Sequence, residues 1–179
     1  MTQTVGGLTT RYALDLAASL GYGLTQVLGD GTSKYLYGLG RIGQDGPGGW
    51  AYSLGDALGS VRQLTDAAGV VTLGRDFEPF GGGMASAGYG TTTFGFAGEQ
   101  QDPTGLIFLR ARTYEPATGR FLTKDPFPGL AALPTTLHSY QCALNNPVNL
   151  VDPGGQNPLL IAAGIGGLIG GEWPAPGAS

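Results

Sequence analysis

The sequence predicts a mainly β protein: stacked antiparallel strand–turn–strand units in a meander, with short helical or loop segments near the C-terminus. Three observations predict it. Gly (34) and Pro (12) together supply about a quarter of the 179 residues, enough turn residues for many reversals. Aromatics reach 9% while charged residues are only 12%, the opposite of a disordered chain, which is charge-rich and aromatic-poor. Reversal signals recur about 15 to 35 residues apart with apolar runs between them, and units of this kind bury a face only by stacking on their neighbours.

The elements follow in order. The opening MTQTVGGLTTRY has neither a charged n-region nor an apolar h-region, so no signal peptide is expected, and an initiator Met on repeat-like sequence suggests a fragment of a longer polypeptide or a short remnant gene. Tyr12 to Leu16 (YALDL) and the following dozen residues fit helix or strand, with strand preferred. Gly29-Asp30-Gly31 and the DGPGG run from Asp45 to Gly49 are reversals flanking the strand-like Lys34 to Ile42. Ser60 to Thr65 and Val70 to Phe77 flank Asp66-Ala67-Ala68-Gly69 as a hairpin. Asp102-Pro103-Thr104-Gly105 repeats that pattern between Thr92 to Glu99 and Leu106 to Tyr114. In both turns Asp caps a local amide and Gly relieves the exit. Arg110 and Arg112 are read as one solvated face of the strand Leu106 to Tyr114. Glu115 to Gly119 is a further turn, one residue longer.

The C-terminal part changes character. Asp125-Pro126-Phe127-Pro128-Gly129 is a stiff bend, and Thr136 to Leu144 fits one short helix ended by Asn145-Asn146-Pro147. Asn149 to Gln156 is a loop. Residues 158 to 171 are uncharged but shorter than the ~20 apolar residues a spanning helix needs. Their G-x-x-x-G spacings (Gly166/Gly170 and Gly167/Gly171) allow close helix approach in lipid, so membrane contact of 158–171 stands beside a buried or truncated segment.

Composition removes several functions. One cysteine (Cys142) and one histidine (His138) make neither a Cys/His zinc site nor an internal disulfide. No metal or cofactor is expected. Nine basic against 13 acidic residues, with no basic stripe, speak against nucleic acid. His138 and Cys142 stand four apart, but Cys142 reads better as a small buried apolar residue than as half of a dyad.

From Ala57 onward the order of motifs resembles the RHS repeat-associated core domain of RHS/YD-repeat proteins, a group that includes polymorphic toxins. The pieces are ALGSVRQLTD (57–66), EPFG (78–81), FAGEQ (96–100), TGLIFLRAR (104–112), GRFLTKDP (119–126), Ser139-Tyr140 and NNPVNLVDPGG (145–155). Coverage is roughly 50–156, and the stretches Thr10 to Leu16 and Lys34 to Gln44 look like preceding YD-type repeats. The resemblance implies three parts: YD-like repeats over 1–49, the core domain over 50–156, and a variable apolar segment over 157–179 that begins a truncated effector region. It implies a β-shell closed by the core around a C-terminal effector, the chain's partners being that effector segment, upstream repeats and an immunity protein. It implies a secreted or cell-surface bacterial setting, and cell-surface adhesion or carbohydrate binding is the alternative role.

The resemblance also implies self-cleavage after a D-P-x-G-L-like sequence by an aspartyl-protease-like carboxylate pair. The matching positions are Asp125 in TKDP and Asp152 in VDPGG, with the cut between Gln156 and Asn157. Gln156 departs from the apolar residue usual there. Two close carboxylates do not both ionise cheaply, so one can take a proton from water while the other polarises a carbonyl. Asp before Pro is equally a turn and capping residue. Asp102-Pro103-Thr104-Gly105-Leu106 also spells D-P-x-G-L, but it reads as a hairpin turn between strands.

Overall fold

The computed structural model describes residues 2–5, 7–15, 25–38, 40–156 and, in backbone only, 159–160. Of the expected apolar segment 157–179, all but the backbone of 159–160 lies outside the described residues.

The turns set the architecture. In Asp56, Asp66 and Asp102, Oδ1 accepts from the amides two and four residues on: Leu58 and Ser60 at 3.0 and 2.9 Å, Ala68 and Val70 at 2.9 Å each, Thr104 and Leu106 at 2.8 and 3.1 Å. The fourth residue of each turn, Gly59, Gly69 or Gly105, is left-handed with φ 84°, 80° and 90°, which glycine adopts without the Cβ clash of other residues. Each D-x-x-G turn therefore reverses the chain into an antiparallel neighbour, as the sequence predicts for Asp66 and Asp102.

Eight strands result, side by side in chain order: β3 (Ala13–Asp15), β4 (Gln26–Gly29), β5 (Lys34–Tyr37), β6 (Arg41–Gly46), β7 (Gly49–Gly55), β8 (Val61–Thr65), β9 (Val71–Phe77) and β10 (Gly83–Gly88). Every pair is antiparallel, so the sheet is a meander and runs continuously through residue 50. A separate hairpin joins β1 (Thr2–Val5) to β2 (Leu8–Arg11). A second meander holds β11 (Gln100–Gln101), β12 (Ile107–Leu109), β13 (Arg112–Glu115) and β14 (Arg120–Phe121). Finally β15 (Leu150–Val151) pairs antiparallel with β16 (Leu159–Leu160).

Four expectations are corrected. The strand expected over Lys34 to Ile42 is broken into β5 and β6, which pair with each other, and Thr92 to Glu99 holds one isolated bridge (Phe94 with Gln100) and the 3-10 turn Phe96–Gly98 in place of a strand. The strand expected over Leu106 to Tyr114 is a hairpin: Leu109 pairs with Arg112, leaving Arg110 and Ala111 as a two-residue loop with Arg110 left-handed at φ 51°. The helix expected over Thr136 to Leu144 is two 3-10 turns, Pro134–Leu137 and Ala143–Asn145, separated by an extended His138. Ala143, Leu144 and Asn145 all have positive φ, which a right-handed helix excludes. Ala143 is instead pressed into a core.

Two apolar clusters form, one per sheet. On the inner face of the large sheet Tyr35, Val61, Leu64, Leu73 and Phe94 pack together, with the Tyr35 and Phe94 rings edge to face at 4.8 Å. Under the small sheet lie Phe96, Ile107, Leu109, Tyr114, Phe121, Cys142 and Ala143. Burying each large side chain contributes about 1.5–3 kcal/mol. The segment 91–98 spans both clusters, since Phe94 belongs to the first and Phe96 to the second. It is tied to the large sheet by polar bonds: Gln44 Nε2 to Thr91 O (2.8 Å), Val61 N to Gly95 O (2.9 Å), Ala97 N to Ser60 Oγ (2.9 Å) and Arg41 Nη1 to Gly98 O (2.9 Å). This fastening holds the small sheet, and the site it carries, against the inner face of the large one.

Candidate functional site

Asp152-Pro153-Gly154-Gly155 is one more D-x-x-G turn. Asp152 Oδ1 accepts from the Gln156 amide at 2.9 Å, and Gly155 is left-handed at φ 67°. What differs is burial. Asp152 is 4% exposed, whereas Asp66 and Asp102 are only half-buried. The loop is docked flat on the β12–β13 hairpin: a Cβ on Gly155 would stand 2.2 Å from Leu109 O. Only glycine fits there.

Burial of a carboxylate demands a partner, and Arg112 supplies it. Arg112 opens β13 on the same face as buried Tyr114 and is itself 4% exposed, so the expected solvated face is corrected to a core position. Strand alternation is the reason: residues two apart share a face. Its Nη2 lies 3.4 Å from Asp152 Oδ2 and 2.8 Å from Asp125 Oδ2. Its Nη1 donates to Ser139 O at 3.4 Å, its Nε donates to Gly155 O, and its guanidinium carbon sits 3.7 Å over the Phe121 ring. Asp125 arrives from the bend after β14. It is fixed by its own amide to Ser139 O (2.8 Å) and by Oδ1 accepting from Phe127 N (2.8 Å).

The structure thus brings Asp125 and Asp152 together on one guanidinium nitrogen, beside the backbone of Gln156. A cavity of about 40 Å³ opens between Arg112, Asp125, Asp152 and Gln156, with His138 on its rim. That is room for a water molecule with several polar partners. Gln156 is exposed, so its side chain fills no apolar pocket. Asn157 lies outside the described residues. Cys142 is buried, and burial, then nearby Asp152, pushes its thiol up to about 12, while His138 is exposed; they form no dyad. Among the described residues no His/Cys/Asp/Glu group could hold a metal ion.

Arg110 is half-buried and also leaves the expected solvent-facing role. Its Nη1 lies 2.5 Å from Glu99 Oε1 and donates to Pro153 O at 2.7 Å. Glu99 is buried enough that its carboxyl is held above its usual range, burial outweighing the attraction of Arg110 and Arg41.

The two larger sheets are antiparallel meanders, and a buried Arg–Asp–Asp cluster sits against the Asp152–Gly155 turn. The family model for the Teneurin YD-shell matches residues 34–148, more than half of the chain, and the chain belongs to that family. It is 30% identical over 112 residues to "Toxin subunit YenC1" of Yersinia entomophaga, covering 60% of this chain and 11% of that protein. It is 34% identical over 110 residues to the tRNA nuclease WapA of Bacillus subtilis strain 168, covering 59% of this chain and 5% of that one. The crystal structure of TcdB2-TccC3 superposes with a TM-score of 0.62 at 25% identity, over 86% of this chain and 8% of the other. The chain therefore spans about a tenth or less of the proteins it matches.

Proposed function

We propose that the chain is the closing section of a YD-repeat β-shell that encapsulates or presents a C-terminal effector, released by self-cleavage between Gln156 and Asn157. Residues 50–156 act as the RHS repeat-associated core, 1–49 as preceding repeats and 157–179 as the start of the effector segment. Toxin-named relatives support a secreted or cell-surface setting. In this reading the effector's immunity protein is a further partner, and residues 158–171 contact a membrane. The observation that carries the cleavage reading is the small cavity where Asp125, Asp152 and Gln156 converge on Arg112.

The chemistry balances with water alone. One carboxylate accepts a proton from a water molecule as its oxygen attacks the Gln156 carbonyl carbon. The other, protonated, donates to the carbonyl oxygen. A proton then passes to the Asn157 nitrogen as the C–N bond breaks, leaving a Gln156 carboxylate and an Asn157 amine. Arg112 offsets the negative charge that the pair and the oxyanion share. Holding the chain's own bond in place removes the association entropy of a separate substrate.

Intact mass of the full chain tests this. Wild type yields a 1–156 fragment, whereas Asp125→Asn and Asp152→Asn remain whole. A folded, uncut wild type removes the reading. A second reading, carbohydrate binding, is favoured by Trp50 and Tyr52, which lie exposed on β7 with rings stacked at 6.1 Å and 20°. Binding to a glycan array that Trp50→Ala abolishes would promote it over the first, and an empty array would remove it.

A further inference from the structure

Three successive carbonyls ahead of Gln156 are each held by one of three successive residues. Arg110 Nη1 donates to Pro153 O at 2.7 Å, the Ala111 amide donates to Gly154 O at 3.3 Å, and Arg112 Nε donates to Gly155 O. The match is one to one, and all three donors sit at the tip of the β12–β13 hairpin. The chemistry above uses Arg112 but not Arg110. Arg110 nevertheless occupies a left-handed backbone conformation that side-chain-bearing residues avoid, in a two-residue loop where glycine would rest more easily. Its guanidinium is pinned from elsewhere in the fold: Nη1 on Glu99 Oε1 at 2.5 Å and Nε on Thr25 O at 3.3 Å.

We infer that the Arg110–Arg112 tip is a carbonyl clamp that positions the segment 153–155, with Arg110 the positioning residue and Glu99 the group that fixes Arg110. The clamp grips main chain only. Its demands are therefore a turn shape at 153–154 and the missing Cβ at Gly155, which would otherwise strike Leu109 O. It makes no demand on the side chain at 156, which is exposed. A polar glutamine is therefore accommodated at 156. The consequence for cleavage rate rests on the self-cleavage reading; the clamp itself does not.

Two measurements on the full chain separate the two. The first is hydrogen exchange in the uncut Asp125→Asn background. Arg110→Gly suits the left-handed backbone while removing the guanidinium, so the hairpin keeps its shape. It raises exchange at the Gly155 and Gln156 amides roughly tenfold or more, with β5–β9 unchanged. Arg110→Lys restores protection in part, because a compact ammonium does not reproduce the planar fork that meets Pro153 O, Glu99 Oε1 and Thr25 O together. Unchanged exchange at 155–156 overturns the clamp, whatever happens to cleavage. The second is the cleavage rate with Asp125 intact. Arg110→Gly slows it about tenfold or more, by loosening the bond's placement, while Gln156→Leu changes it less than about threefold because the clamp reads no side chain there. Wild-type speed in Arg110→Gly overturns the positioning role. If wild type is uncut, the cleavage reading falls, and exchange alone decides the clamp.

Discussion

Arg112 is the residue on which the most polar groups of the site depend. It serves two carboxylates, two carbonyls and an aromatic face at once, with its side chain 3% exposed. Replacing it by methionine keeps much of the volume but removes the guanidinium charge beside Asp152, whose side chain is 2% exposed. Arg112→Met is expected to cost about 3–5 kcal/mol in urea unfolding, the usual penalty for breaking a buried pair. Adding Asp152→Asn recovers part of it, because the buried carboxylate charge is gone. The position was legible in principle. An arginine two residues before a buried tyrosine shares its face in a strand, and arginines are fully buried only when paired. What hides it is the hairpin at Arg110–Ala111, which no glycine or asparagine announces, so the sequence alone looks like one continuous solvated strand. Asp125 and Asp152 were legible only through the family motifs; as isolated Asp-Pro steps they look like any other turn.

Glu99 makes the pH argument at the same scale. Its folded carboxyl is held above the ordinary carboxylate range, first by burial, against the pull of Arg110 and Arg41. The folded state therefore binds this proton more tightly than the unfolded chain does. The resulting stability is fully present below the unfolded value of about 4.3 and is lost as pH rises through the folded one. Glu99→Gln carries no such proton. Wild type should thus lose stability relative to Glu99→Gln as pH rises above about 4.3, measured by urea unfolding at a series of pH values. A difference independent of pH would contradict the assignment.

At the scale of elements, one turn design is used four times, and burial decides what each copy does. Asp56, Asp66, Asp102 and Asp152 all cap the amide four residues on. Gly105 and Gly155 are both left-handed, yet a Cβ at Gly105 meets nothing within 4 Å while one at Gly155 meets Leu109 O. Gly105→Ala should therefore cost only the backbone penalty, about 1–2 kcal/mol. Gly155→Ala should cost more and also lift the 152–156 loop off the hairpin, read as faster exchange at Gln156. Equal costs would mean that the loop does not dock as described. The turns and the strands between them were legible because Asp and Gly sit at fixed offsets. The 3-10 turns of residues 134–145 were not, because left-handed Ala143 and Leu144 answer to the core beneath them, not to local preference.

For the whole molecule, the decisive feature is that the large meander is left open at β10 among the described residues. The β10 strand ends the sheet order, and all six of its residues, Gly83–Gly88, are exposed. Its sequence GMASAG carries no charge and no proline, the devices by which edge strands usually resist pairing. Met84 is 67% exposed and extends the apolar outline at that edge. In a β-shell such an edge is satisfied by further strands, and the matched proteins are several times longer than this chain, the aligned stretch being 11% of one and 5% of another. Studied by itself, this chain should therefore self-associate through β10. Sedimentation velocity across a concentration series should show a shift toward larger species as protein is added. Ser86→Lys, which pairs opposite Arg75 on β9, places a charge on the edge where a second copy's strand would lie. It should return the chain to a concentration-independent monomer without changing its unfolding midpoint by more than the roughly 0.5 kcal/mol typical of surface substitutions. A wild-type chain that stays monomeric throughout would show that this edge is already covered, and the open-shell architecture argued from β10 would have to be abandoned.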